Sequence, residues 1–389
     1  MYNFYFSNPT RIYFGEEERK NLGKVVSRCG LRALIIYGGE TVKKSGLYNE
    51  IVTLLKSEGV ETMDFGGIVS NPGHTKINEG SNICREQNID VLVAVGGGSV
   101  IDSAKAIALG RYYDGDCWDI ITKEVKGEQA LPIVTVTTIS GTGSEMNNSC
   151  VISNDILKIK RGYSNELLRP VASFLDPVLT FSVNKFQTAC GAADILSHIL
   201  DTTYMVRDNK MQMLNDIMES ILKTVLYYAP IAVNTPHNYE ARANLMWAST
   251  WALNDFLKSG VKQLAACHAI EHEISAFYGI THGLGMAILM PRYIECILCD
   301  ETAIYFESMA KNVFNVDRSL NAYKASVEMI NKLKTFLFED LQLPISFSEL
   351  GIDGKDFAQI ASNICWNGTL PGFRILTTED VKSILLNCL

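Results

Sequence analysis

Short apolar runs alternate with amphipathic stretches through the first half of the chain. Arg32–Tyr37 reads R-A-L-I-I-Y, ends in Gly38-Gly39 and is followed by helical spacing over Leu47–Glu58. Glu61–Phe65 predicts a weaker strand and Lys76–Gln87 a polar helix. Asp90–Val95 predicts a buried strand that runs into Gly96-Gly97-Gly98-Ser99, after which Val100–Leu109 has helical spacing. Ile133–Thr137 is a further strand, leading into the polar loop Ile139–Glu145. Strands alternating with helices call for a mostly parallel sheet covered by helices.

The pattern changes after Asp176-Pro177, where proline pushes the preceding residue out of helical geometry. Helical periodicity then dominates: Thr188–Tyr204, Lys210–Tyr228, Glu240–Lys258, Cys267–Phe277, Ser319–Leu337 and Thr378–Leu386. A chain of 389 residues exceeds what one core usually supports. The expectation is an α/β domain over residues 1–180 and an all-helical domain over 181–389.

Composition narrows the function. Hydrophobic residues make up 47% and charged residues 20%, as in ordinary globular enzymes. A net charge of −8 without a basic run offers no footprint for nucleic acid. Met1–Phe6 lacks the basic flank and continuous apolar stretch of a signal peptide. The apolar stretches Val91–Leu109 and Gly283–Met290 are too charged or too short to span a bilayer. These features predict a cytoplasmic protein with no membrane partner. The ten cysteines form no compact framework, Cys296 and Cys299 being a solitary Cys-x-x-Cys pair, so free thiols in a reducing compartment are expected. Phe256, Phe277, Tyr278 and Trp366 fit core packing better than a substrate pocket.

A strand ending in glycines before a helix suits a diphosphate, because glycine lets the backbone approach the anion and the helix N-terminus offers unpaired N–H groups. Gly96-Gly97-Gly98-Ser99 has that form, although its spacing is not G-x-G-x-x-G and the motif alone is weak. A second loop, Thr137-Thr138-Ile139-Ser140-Gly141-Thr142-Gly143-Ser144-Glu145, follows another strand and is rich in hydroxyls and glycines. Together with Gly38-Gly39 they could hold a dinucleotide along one sheet edge.

Four of the six histidines cluster. Asp194 and His198 are four apart on one helical face, and His268 and His272 repeat the spacing, with His282 close behind. Such pairs on facing helices build divalent metal sites. Imidazoles with a carboxylate suit Fe²⁺ or Zn²⁺ rather than Ca²⁺ or Mg²⁺. Spacing leaves His268 and His272 as equal candidates. His74 and His237 fall outside the pattern, His237 in a surface turn.

The pieces Gly96-Gly97-Gly98-Ser99-Val100-Ile101-Asp102-Ser103-Ala104-Lys105, Gly141-Thr142-Gly143-Ser144-Glu145, Gly191-Ala192-Ala193-Asp194-Ile195-Leu196-Ser197-His198, His268-Ala269-Ile270-Glu271-His272 and His282-Gly283 together resemble the iron-containing alcohol dehydrogenases, in particular their butanol-dehydrogenase-like branch. The resemblance runs from Asn8 onward. It implies an N-terminal dinucleotide-binding α/β domain and an all-α C-terminal metal-binding domain, a dehydroquinate synthase-like fold. It implies a metal-dependent, NAD(P)-linked alcohol dehydrogenase or aldehyde reductase for small primary alcohols and aldehydes, assembled as a homodimer. By likeness Asp194, His198, His268 and His282 are the metal ligands, and His272 serves proton transfer. Gly38, Gly39, Asn71, Gly97, Gly98, Ser99, Asp102, Thr138, Ser140, Thr142 and Lys160 match cofactor positions, and Asn147 and Val151 substrate positions. Gly39 stands where relatives using NAD carry Asp, which favours NADP(H), with Lys43 and Lys44 as neighbours able to neutralise a 2′-phosphate and Glu40 opposing it. Two other readings stand beside this one: a polyol dehydrogenase or lyase-like enzyme of the same fold, whose substrates need more charged groups near the metal, and a metal-dependent hydrolase, which needs no dinucleotide cradle.

Overall fold

The computed structural model describes residues 2–154, 156–205, 211–261 and 264–389. It divides into two compact units, Ser7–Ser182 and Val183–Leu389, with residues 2–6 grouped with the second. Those first residues were expected with the sheet. They pack instead on the helical unit, where Tyr2 N–H donates to the Gly260 carbonyl and the Phe6 ring meets Phe256 edge-on at 5.7 Å.

In the first unit the strands are β1 (Arg11–Phe14), β2 (Arg32–Tyr37), β3 (Glu61–Phe65), β4 (Val91–Gly96), β5 (Ile133–Thr137), β6 (Ser149–Asn154), β7 (Ile159–Ser164) and β8 (Ala172–Leu175). The helices are α1 (Leu22–Ser27), α2 (Thr41–Lys44), α3 (Leu47–Ser57), α4 (His74–Glu86), α5 (Gly98–Gly110) and α6 (Cys117–Ile121). Six strands form one parallel sheet in the order β1-β8-β5-β4-β2-β3. Because helices cover both faces, the strands read as continuous apolar runs. Ala33, Ile35, Val91, Val93 and Val95 point into the layer shared with α1 and α3, while Leu34, Ile36, Leu92 and Ala94 point into the layer shared with α4, α5 and α6.

The strand order fixes where a ligand can sit. The chain passes from β2 outward to β3, then returns to place β4 on the other side of β2. That reversal leaves a crevice at the carboxyl ends of β2 and β4, the usual ligand position in open α/β sheets. Gly38-Gly39 ends β2 and Gly97-Gly98 ends β4 there.

The second unit holds α7 (Lys185–Ile199), α8 (Gln212–Asn234), α9 (Tyr239–Ala252), α10 (Ala266–Tyr278), α11 (His282–Ile297), α12 (Asp300–Asn312), α13 (Ala322–Thr335), α14 (Phe357–Ile364) and α15 (Thr378–Leu386), with a small β9 (Thr369–Leu370) and β10 (Leu376–Thr377) ladder. Asn184, Asn238 and Asn321 cap α7, α9 and α13 by accepting a first-turn N–H. The chain beyond α7 continues in a wider π-type turn over Leu200–Tyr204. Lys210, the expected first residue of α8, lies outside the described residues. The helix expected to reach Lys258 stops at Ala252, after which Asn254 turns the chain by accepting from the Phe256 N–H. Phe256, Phe277 and Tyr278 pack on the core, whereas Trp366, expected with them, is 81% exposed in the turn before β9. No helix among the described residues is long and apolar enough to cross a membrane.

Candidate functional site

Three helices of the second unit converge on one cluster. α7 presents Asp194 and His198 from one face, four residues apart. α10 carries His268 and His272 and ends at Gly279, whose φ of 68° a side chain would strain. The short turn that follows places His282 at the first position of α11. Close approach of α11 to α7 depends on Gly283, where an added Cβ would lie 2.1 Å from the Cys190 carbonyl oxygen.

Asp194, His198, His268 and His282 each offer a ligand atom, all within 4.8 Å of one another. Asp194 Oδ1 lies 3.5 Å from both His198 Nε2 and His282 Nε2. The rings of His198 and His268 stack with centroids 5.3 Å apart. His272 stands beside this set, its ring centroid 5.5 Å from His282 and 6.5 Å from His268, and its nitrogen groups with Glu271 and His282 instead. Spacing could not separate His268 from His272; the geometry groups His268 with Asp194, His198 and His282, and His272 with Glu271 and His282 in a second candidate set.

Two buried carboxylates orient the imidazoles. Asp201, in the π-type turn after α7, sits 2.8 Å from His268 Nδ1. Glu271 contacts His282 Nδ1 and also accepts from the Ser275 hydroxyl. Gly285 leaves room for Glu271, since a Cβ there would lie 2.7 Å from its carboxylate. A carboxylate on Nδ1 fixes the tautomer and leaves Nε2 with its lone pair. Neither Asp201 nor Glu271 was singled out from sequence. The signal available was position: Asp201 continues the stripe of Asp194 and His198, and Glu271 lies one turn from His268.

The donor set fits a divalent transition metal. Asp194 Oδ1 and His268 Nε2 are buried without a hydrogen-bond partner, a state that costs about 1–3 kcal/mol per group when left unmet. Burial holds the His198 imidazole down at about 3, against the opposing pull of Asp194, so the ring is neutral. Neutral imidazoles and a carboxylate are the ligands that Fe²⁺ and Zn²⁺ accept.

In the first unit, the loops of the sheet edge are locked to one another. An added Cβ on Gly97 would meet the Ile139 side chain at 2.3 Å, and one on Gly98 the Thr142 side chain at 2.4 Å. The glycines therefore let the β4 and β5 loops close together. No side chain caps α5, whose N-cap is Gly97, so its first-turn N–H groups face the crevice end of β4. Gly97, Gly98, Ser99, Thr138, Ser140 and Thr142 are all half-buried along this edge. Asn71 holds a left-handed φ of 53° two residues before Gly73, which bridges to Ser153 on β6. Lys160, on β7, pairs in register with Ser153 of β6. Gly39 is exposed, with nothing within 4 Å of an added Cβ.

Two of the expected ligand contacts point inward instead. Asp102 accepts from the Ser144 hydroxyl at 2.6 Å and the Val151 N–H at 2.9 Å. Asn147 is 3% exposed; its Oδ1 accepts from Lys105 Nζ and the Ser149 N–H, and its Nδ2 donates to the Gly143 carbonyl. The substrate-lining role implied for Asn147 is thus not supported by the position of its side chain, which is spent inside the loop. Lys43, a candidate partner for a 2′-phosphate, is instead paired with Asp64 at 3.2 Å.

Residues 9–177 match the family model "Iron-containing alcohol dehydrogenase", and residues 188–389 match "Fe-containing alcohol dehydrogenase family, C-terminal". The chain belongs to the iron-containing alcohol dehydrogenase family. Similar proteins of that family include NADH-dependent butanol dehydrogenase A of Clostridium acetobutylicum, 41% identical with 99% of each chain covered. The NADPH-dependent aldehyde reductase YqhD of Escherichia coli is 33% identical, covering 94% of this chain and 93% of its own. Among solved structures, NADH-dependent butanol dehydrogenase A from Thermotoga maritima superposes with a TM-score of 0.94 at 36% identity, over 100% of this chain and 99% of that one. This family membership accounts for the two-part fold: a parallel-sheet α/β unit followed by a helical one.

Proposed function

We propose that this chain interconverts small primary alcohols and aldehydes by hydride transfer with NAD(P)(H), using a divalent metal, Fe²⁺ in the first place, held by Asp194, His198, His268 and His282. The observation that carries the reading is the convergence of unpaired buried ligand atoms from α7 and α10 in a chain of this family. The names of its relatives support butanal-sized substrates. The more similar relatives are named for butanol rather than for a diol, so the polyol and hydrolase alternatives are not favoured.

When bound, the metal supplies Lewis acidity that polarises a carbonyl or eases ionisation of an alcohol. The residues of the chain do the rest. Asp201 and Glu271 hold His268 and His282 with Nε2 available. His272, adjoining the set without belonging to it, moves the proton. The open first turn of α5 and the hydroxyls of the β5 loop bind the dinucleotide phosphates. Val151 lines the substrate pocket.

For the cofactor, Gly39 offers no carboxylate to repel a 2′-phosphate, which supports NADP(H). Lys43 is already neutralised by Asp64, and the relative at 41% identity is named NADH-dependent. Both cofactors are accordingly taken, with NADPH favoured over NADH. A homodimer, as the family resemblance implies, is the working form in this reading. The test is absorbance at the nicotinamide band with butanal and each reduced cofactor, on chelated protein and again after Fe²⁺ or Zn²⁺. Turnover that returns only with metal is expected; undiminished turnover after complete metal removal would overturn the reading.

A further inference from the structure

Lys105 has no accessible surface, and its ammonium is surrounded by five uncharged oxygens. Nζ lies 2.7 Å from the Ser144 carbonyl and 2.9 Å from its hydroxyl, 2.8 Å from Asn147 Oδ1 and 3.1 Å from its carbonyl, and 2.8 Å from the Ser149 carbonyl. Three N–H groups serve five acceptors, so the group resembles a coordinated monovalent cation more than half of a salt bridge. Removing an ammonium from water is expensive, and an apolar side chain of similar volume would avoid that cost. What the charge provides is shape, because it draws three carbonyls and two side chains of one loop to a single point.

The same helix face carries the other half of the clamp. Asp102, one turn before Lys105 on α5, accepts from the Ser144 hydroxyl and from the Val151 N–H on β6. Ser144 therefore donates to Asp102 while accepting from Lys105. The loop so held leads directly from Gly141-Thr142-Gly143, and Thr142 packs on the Gly98 backbone at the start of α5. One helix thus opens on the β4 glycines and shapes the β5 loop with its second turn.

We propose that Lys105 is the positioning residue of the dinucleotide cradle: a built-in cation whose five-oxygen cage fixes residues 143–149, and which free ammonium can replace once the side chain is removed. The inference rests on the reading that this loop grips the dinucleotide. The metal ligands lie on α7, α10 and α11, so metal content is not affected.

The experiment uses the full-length, metal-loaded enzyme and its Lys105→Ala variant in ammonium chloride or sodium chloride at equal ionic strength. Dinucleotide Kd and KM, kcat for butanal, metal content and hydrogen exchange over residues 141–151 are measured. In sodium, Kd and KM are expected to rise about tenfold or more, with kcat changed far less, metal retained and exchange faster in that segment alone. Ammonium is expected to recover most of the affinity and protection. Unchanged affinity, or recovery no better in ammonium than in sodium, would overturn the proposal. If Lys105→Ala does not fold, Ser144→Ala removes one cage oxygen and the donor to Asp102. It should weaken dinucleotide binding several-fold with faster exchange confined to the segment; wild-type affinity and protection would refute the cage. Should the unaltered enzyme bind neither NADH nor NADPH, the functional reading fails, while the exchange comparison still decides the role of Lys105.

Discussion

Asp201 holds His268 by two bonds at once, its Oδ2 lying 2.9 Å from the His268 backbone N–H and 2.8 Å from the ring Nδ1. Its other oxygen takes the Cys267 N–H at 3.3 Å. The carboxylate therefore anchors the first turn of α10 and the orientation of its imidazole together.

Replacing Asp201 with Asn keeps the shape and removes the charge. Metal affinity should fall about 10–100-fold, the usual effect of losing a carboxylate behind a ligating imidazole. Chelator competition reads this directly, and an unchanged affinity with intact helical content would make Asp201 a helix anchor only.

His268 and His272 should separate cleanly. His268→Ala is expected to lose metal and activity while dinucleotide binding persists, since the two sites are built by different units. His272→Ala should keep its metal and turn over slowly. Equal metal loss in both variants would remove the distinction between them.

Gly283→Ala puts a Cβ 2.1 Å from the backbone oxygen of Cys190, an atom that cannot swing aside. Overpacking of this kind costs about 1–3 kcal/mol. Because it forces α11 from α7 next to His282, stability and metal affinity should fall together. A urea midpoint and a metal titration on one preparation check the coupling; a stability loss with unaltered metal affinity would show that His282 is insulated from this contact.

Much of this was legible in the chain because helical spacing reports one face at a time. Asp194 with His198, and His268 with His272, are visible as pairs four apart. Choosing between the two histidines of α10 needs the third helix, and α11 was hidden because it starts at the candidate ligand His282 and carries Pro291 inside. Asp201 and Glu271 are ordinary carboxylates until a tertiary contact gives each an imidazole. The buried strands β2, β4 and β5 stood out as apolar runs. The half-exposed Arg11–Phe14 did not, nor did the hairpin of β6 and β7, whose lead-in Asn147-Asn148-Ser149 is polar and whose Asn147 is buried against Lys105.

Gly39→Asp has room for its side chain and no unfavourable φ. The ratio of kcat/KM for NADPH over NADH should fall by about tenfold or more, because a carboxylate there would repel a 2′-phosphate near the protein surface. A ratio that does not move would assign the choice to Glu40 or to the Lys43–Asp64 pair.

Cysteine burial gives a dependence on pH. Burial pushes the Cys84 and Cys388 thiols up to about 12, from an ordinary value of 9.0. Above pH 9 the unfolded chain ionises these thiols and the folded chain does not, so the folded state binds more protons and stability falls as pH rises toward 12. Urea midpoints should drop from pH 8 to pH 10, and less so in a Cys84→Ala, Cys388→Ala double variant compared with its own value at pH 8. An identical drop in both proteins would place the dependence elsewhere.

The most direct measurement is anomalous diffraction at the iron edge from crystals of active, Fe²⁺-loaded enzyme. Assignment of the metal to this cluster requires one peak about 2.0–2.2 Å from ligand atoms of Asp194, His198, His268 and His282, with His272 outside that shell. A peak held instead by Glu271, His272 and His282, or active crystals with no peak in this cluster, would contradict it.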